Sequence, residues 1–187
     1  MNPINIHYLN LVLGAGSIIL QISSVIVLLL LFFVLPAEKR KGEINKILNY
    51  IDKHYLALGF FISLAATLFS LVYSDIIHFP PCLLCWWQRI FMYPQVVLFG
   101  VALWDKDRKI IKYSLPLLVA GFLVTTYQSF VYYFGESGSV PCDASGVSCY
   151  KQYISEFGGY ISIPMLSLTA FFALLVLTLV VHFYRVK

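Results

Sequence analysis

Five stretches of this chain are long and predominantly apolar: Leu11–Leu35, Tyr55–Tyr73, Trp86–Trp104, Ser114–Phe134 and Ile161–Phe183. At about 1.5 Å rise per residue, each is long enough as a helix to cross a hydrocarbon core of about 30 Å. Lipid offers backbone amides no hydrogen-bond partner, so the helix, which pairs them internally, is the expected form. Of the 187 residues, 60% are hydrophobic and 12% charged, which excludes a water-soluble single domain. The first stretch has no Lys or Arg before it, and Lys39, Arg40 and Lys41 follow it at once. It therefore reads as an anchored span rather than a cleavable signal peptide.

The thirteen basic residues predict the orientation. Lys39, Arg40, Lys41, Lys46 and Lys53 separate spans one and two, Lys106, Arg108, Lys109 and Lys112 separate three and four, and Arg185 and Lys187 end the chain. The positive-inside rule puts these eleven in the cytoplasm and leaves only Arg89 and Lys151 elsewhere. The expected product is a multi-pass protein of the cell membrane. Its amino terminus and the loops near residues 74–85 and 135–160 lie outside, and its carboxyl terminus is cytoplasmic. The net charge of +4 then reports topology and contact with the lipid bilayer, not nucleic acid. Pro36–His54 is polar and is expected to be a solvated connector, although Ile44, Ile47, Leu48 and Ile51 have the spacing of an interfacial helix. Trp86, Trp87 and Trp104 fall at span ends, where indole rings favour the headgroup level.

All four cysteines, Cys82, Cys85, Cys142 and Cys149, fall at or beyond the outer face of this topology. An oxidising compartment permits disulfides, and four cysteines allow three connectivities. Proximity in sequence favours Cys82–Cys85 and Cys142–Cys149. The first pair sits in Pro80-Pro81-Cys82-Leu83-Leu84-Cys85-Trp86-Trp87-Gln88-Arg89. Proline disfavours helix before it and is accepted at a first helical position, so the third span is expected to start here. Cys82, Cys85 and Arg89 then share one helical face. The helix amino terminus and the guanidinium both stabilise a thiolate, which points to a reactive Cys-X-X-Cys.

Two other readings use the same cysteines. A Cys₄ zinc centre is disfavoured by the six-residue gap in the second pair, wider than structural zinc sites use, and no metal ligand set is expected. A non-catalytic scaffold or small transporter could carry the cysteines as staples, but a two-residue loop restrains the unfolded chain very little. Arg89 is costly at membrane depth, so it requires a partner: the headgroups, or an electron-accepting group beside Cys85 that is itself lipid-soluble. The loop Asp143–Ser148 between Cys142 and Cys149 is small and polar, which suits disulfide exchange with a soluble protein, with Cys142 the expected point of attack.

Pro81-Cys82-X-X-Cys85-X-X-X-Arg89, followed by the outer-loop pair and by Ile161-Ser162-Ile163-Pro164-Met165-Leu166-Ser167-Leu168, resembles the disulfide bond formation protein B family (DsbB/BdbC type) over about residues 55–187. The resemblance implies a four-helix transmembrane bundle, to which span one adds an additional N-terminal transmembrane helix in an all-α integral membrane protein. Residues 1–54 would form the extra helix and its connector, and residues 55–187 the redox domain. It further implies a thiol:quinone oxidoreductase that reoxidises an extracytoplasmic thioredoxin-fold, DsbA-like protein and delivers the electrons to the membrane quinone pool, ubiquinone or menaquinone. Cys82, Cys85, Cys142 and Cys149 would be catalytic, with Cys85 and Arg89 binding the quinone. The reverse-direction reductase uses the same residues; in the vitamin K epoxide reductase family, however, the loop cysteines precede the Cys-X-X-Cys. A histidine in the fourth span of some members corresponds to Gln128 or Ser129, which removes an obvious proton-transfer group. His7, His54, His78 and His182 read as interfacial, His78 being the one that could approach the quinone.

Overall fold

The computed structural model describes residues 3–34, 42–107, 109–134, 154 and 156–185. Five helices follow in order: α1 (Pro3–Val34), α2 (Gly42–Leu71), α3 (Leu83–Asp105), α4 (Ile111–Phe134) and α5 (Ile163–Arg185), with a π-helical turn at Val72–Ile76 extending α2. Four of the five, α1, α2, α4 and α5, are long and apolar enough to cross a membrane. The 23-residue α3 is as long but less apolar, because it carries Gln88, Arg89 and Gln95. Gln88 and Gln95 are buried in the bundle, so the helix satisfies its polar groups internally.

Helices α2, α3, α4 and α5 pack in a ring, each against the next and α5 back against α2, and α1 lies along the outside of α5. The result is an all-α membrane bundle of four helices plus one. The most buried helix is α5, whose Phe171, Leu174, Val180 and Val181 are fully enclosed. Helix α1 instead exposes Ile19, Ile22, Val25, Ile26, Leu29 and Phe32, a surface suited to lipid.

Close approach of the helices depends on small residues. A Cβ on Gly59 of α2 would lie 2.7 Å from the Phe99 ring of α3, and one on Gly121 of α4 would overlap the Phe171 ring of α5. A solid core of Tyr55, Phe99, Leu118, Phe171, Leu174 and Val181 fills the half of the bundle remote from Cys82. There Ser114 Oγ donates to Gln95 Oε1 at 2.5 Å, tying α4 to α3 beside the internal Pro94.

The expectation of a solvated connector over Pro36–His54 is corrected for residues 42–54, which form the first turns of α2. Leu48 is buried there with Leu31, Val176 and Val180, so the helical spacing of apolar residues reports packing against α1 and α5. Helix α1 also begins earlier than its apolar stretch, because Asn10 has a partner: Tyr73 donates to its Oδ1 at 2.8 Å.

Candidate functional site

The segment 78–82 is irregular, and α3 starts immediately after Cys82, its N-cap (φ −76, ψ 172). Pro80 and Pro81 therefore lie in the extended lead-in rather than at the first helical position. Cys82 is buried and Cys85, one turn into α3, is half-buried; their Sγ atoms lie 3.0 Å apart, joined by a hydrogen bond rather than a disulfide. The Cys82 carbonyl accepts from Trp86 N at 3.2 Å, which closes the first turn and sets the two sulfurs on the same side.

Two glutamines complete the surroundings of the sulfurs. Gln128 of α4 directs Nε2 at both Cys82 Sγ and Cys85 Sγ, each at 3.5 Å. Its Oε1 accepts from Gln88 Nε2 of α3. Gln88 orients the Gln128 amide, and the amide offers its donors to the thiols. Both glutamines are buried, and each amide buried in a membrane bundle needs such a partner. Gln128 is thus a fixed amide donor beside the dithiol. Ser129, the other position the resemblance offers, has a buried Oγ with no hydrogen-bond partner among the described residues.

Arg89 turns toward α2. Its Nε donates to Ser70 Oγ at 3.1 Å and an Nη to the Ser70 carbonyl at 3.2 Å, and its guanidinium lies 5.1 Å from the Trp86 ring centroid. Ser70 is two residues before the π turn, in which Ile77 N reaches the Val72 carbonyl, and such turns change which helix carbonyls are available to other donors. The remaining guanidinium donors make no hydrogen bond among the described residues. Arg89 is therefore held inside the bundle by two directed bonds and a ring face, which offsets the cost of a cation at this depth.

Cys82, Cys85, Gln88, Arg89 and Gln128 all line one cavity of about 610 Å³. The rest of its wall is largely apolar, from Phe61, Ala65, Phe69 and Tyr73 of α2 to Pro164 and Ala170 of α5 and a strip of α1. An apolar cavity with a dithiol and a few hydrogen-bond donors on one side fits a flat, lipid-soluble acceptor with polar edges. His78 is not on that wall; it occupies the preceding turn with φ 64. His7 is exposed and pairs with Glu156 at 2.9 Å, and the His54 ring lies tilted against that of Tyr50, centroids 4.6 Å apart. Cys142 and Cys149 lie outside the described residues, and so does any choice among connectivities or a Cys₄ centre that depends on them.

Ile154 is buried and lines the same cavity. Tyr132 donates to the Ile154 carbonyl at 3.4 Å, and Tyr133 to the Tyr160 carbonyl at 2.6 Å, so the end of α4 anchors the segment leading into α5. Gln88, Ser70 and these tyrosines were not singled out from the sequence. The available signal was an amide three residues after Cys85 in an otherwise apolar stretch, which on its own equally marks a helix–helix hydrogen bond.

A family model described as "Disulfide bond formation protein DsbB" matches residues 52–181. A "Probable disulfide formation protein C 2" of Bacillus anthracis is 36% identical over 75% of this chain and 99% of its own length. "Disulfide bond formation protein C" of Bacillus subtilis is 41% identical over 65% of this chain and 88% of its own length. A "Probable disulfide formation protein" of Chlamydia pneumoniae is 35% identical over 74% and 98%. No solved structure matches the chain.

Proposed function

The chain belongs to the disulfide bond formation protein DsbB family, membrane oxidoreductases of disulfide bond formation, and from that premise we propose that it is a thiol:quinone oxidoreductase. Its substrate is the dithiol of an extracytoplasmic thioredoxin-fold, DsbA-like protein. The observation that carries this reading is the dithiol, the bonded amide of Gln128 and the guanidinium of Arg89 on the wall of one apolar cavity.

In the proposed cycle a partner thiolate attacks the Cys142–Cys149 disulfide at Cys142, and Cys149 leaves as a thiol. The partner's second thiol resolves the mixed disulfide, so the partner gains a disulfide and Cys142 and Cys149 gain two electrons and two protons. The same exchange passes them to a Cys82–Cys85 disulfide, giving the dithiol seen at 3.0 Å. Four residues separate Cys149 from the cavity-lining Ile154, a tether of five steps and at most about 18 Å when extended. That length supports a meeting of the two pairs. A quinone, ubiquinone or menaquinone, supplies a two-electron, two-proton acceptor when bound. Thioredoxin-fold oxidants of this kind are poised well above ordinary thiol pools, so a non-thiol acceptor suits the task. Within the cavity Cys85, the more accessible sulfur, faces the acceptor, Gln128 holds both sulfurs as hydrogen-bond acceptors, and Arg89 offers its unused donors to an acceptor oxygen.

The orientation belongs to the same proposal: amino terminus and cysteine-bearing loops outside the cell membrane, carboxyl terminus in the cytoplasm, with α2–α5 as the redox unit from about residue 55. The test is anaerobic. Purified protein is mixed with a reduced thioredoxin-fold partner and a quinone, and quinone absorbance is followed. Partner-dependent loss of quinone absorbance, abolished in Cys85→Ser, is expected; no such loss, or unchanged turnover in Cys85→Ser, refutes the proposal.

A further inference from the structure

Helix α1 is outside the matched family region, yet it closes one side of the cavity through Val12, Leu13, Gly16, Ser17 and Leu20. These positions form a stripe along one face, two residues per turn. Within that stripe Ser17 has an unusual status. It is 92% buried, with 8% of its surface exposed, and its Oγ is itself enclosed and has no hydrogen-bond partner among the described residues. Thr67 and Ser129 are likewise unpartnered, but three other buried hydroxyls satisfy themselves by bonding back to the preceding turn: Ser63 to the Gly59 carbonyl at 2.8 Å, Thr125 to that of Gly121 at 3.0 Å and Thr178 to that of Leu174 at 2.6 Å. Ser17 does not, and a buried hydroxyl left unpaired costs about 1–3 kcal/mol.

The neighbour before it leaves room. A Cβ on Gly16 would meet nothing within 4 Å, whereas at Gly14 it would lie 2.8 Å from the Phe157 ring. Gly14 is thus a packing contact, and Gly16 a gap in the cavity wall. The depth of Ser17 follows from two bonds. Asn10 is level with Tyr73, and Arg89 is level with Ser70, about one turn earlier in α2 and so deeper in the bundle. Ser17 is two turns beyond Asn10 and so about one turn, roughly 5.4 Å, deeper than Arg89. A quinone ring carries its two carbonyl oxygens on opposite edges and can use donors at two depths.

We propose that α1 is a wall of the acceptor site, in which Gly16 keeps that wall open for a quinone ring and the enclosed Ser17 Oγ, turned toward the cavity by a change of χ1 when quinone binds, donates a hydrogen bond to it. This rests on the quinone reading above. Gln21 fixes the wall in register, donating to Thr169 Oγ1 at 2.6 Å and accepting from Tyr160 at 2.9 Å. The extra helix is then part of the binding site for the electron acceptor, not only an anchor.

The test is equilibrium binding of decylubiquinone to the full chain in detergent, read by quenching of tryptophan fluorescence and by thermal stabilisation. Helicity and the unfolding midpoint without quinone control for folding. Ser17→Ala is expected to weaken binding about five- to tenfold, the loss of one hydrogen bond to a buried donor. Gly16→Leu is expected to weaken it about tenfold or more by filling the gap. Ile19→Ala, on the exposed face of α1, is expected to bind like the unaltered protein. If the unaltered protein binds no quinone, the functional reading itself fails. If it binds and both Ser17→Ala and Gly16→Leu bind equally tightly, the role of α1 is overturned while the quinone reading stands.

Discussion

Replacing Gln128 by leucine removes a side-chain amide that donates to both sulfurs, at 3.5 Å each, while keeping the volume of the side chain close. Sulfur is a weak acceptor, so each bond is placed at the low end of the usual range, about 0.5–1 kcal/mol, and the pair at about 1–2 kcal/mol. Both bonds favour the reduced pair, above all a thiolate, over an uncharged disulfide. Their loss stabilises the disulfide relatively and moves the midpoint potential of Cys82/Cys85 to more negative values. At 1.4 kcal/mol per 30 mV for two electrons, the expected shift is about 20–45 mV. A second cost is separate. The buried Gln88 amide loses its acceptor, which lowers stability by about 1–3 kcal/mol. The potential is measured in a Cys142→Ser/Cys149→Ser background, by equilibration with a dithiol–disulfide buffer, alkylation and mass spectrometry. A midpoint unchanged by Gln128→Leu, or shifted to more positive values, refutes the assignment of Gln128 as a donor that favours the dithiol.

Arg89→Lys keeps the charge but loses the planar fork that reaches both Ser70 Oγ and its carbonyl. Its kcat/KM for quinone is expected to fall about tenfold, near 1.4 kcal/mol, while the KM for the thiol partner stays unchanged in steady-state assays. Gly59→Val drives a side chain into the Phe99 ring and is expected to cost about 1–3 kcal/mol, read as a lower unfolding midpoint in detergent. Tyr73→Phe removes the bond to Asn10 and is expected to cost about 0.6 kcal/mol and to speed hydrogen exchange in the first turns of α1 before any effect on α5.

The spans were legible because lipid demands continuous apolar helices, and α4 starts within three residues of its apolar stretch. Residues 42–54 were misread for a physical reason: Lys46 and Lys53 dominate the local composition, while the burial of Leu48 depends on partners in α1 and α5 that no local pattern contains. The Cys82, Cys85 and Arg89 face could be read from spacing and the preceding prolines. The direction of Arg89 toward Ser70 could not, because it depends on where α2 ends and on its π turn. The same holds for Gln128, forty residues from Gln88, whose two hydrogen-bonding roles follow from the packing of α3 on α4. In the sequence, Ser17 is one small residue in an apolar span. Its lack of a back-bond and its place on a cavity wall are properties of the assembled bundle.

The central claim is that electrons taken from a protein dithiol end on a quinone and nowhere else. The most direct measurement is the stoichiometry of a reaction without oxygen: partner disulfide formed, counted by alkylation, against quinol formed, counted by absorbance. One quinol per partner disulfide is predicted for the unaltered protein, with neither product beyond background in Cys85→Ser. Partner oxidation without matching quinol, or quinol formed when the partner has no thiols, would contradict it.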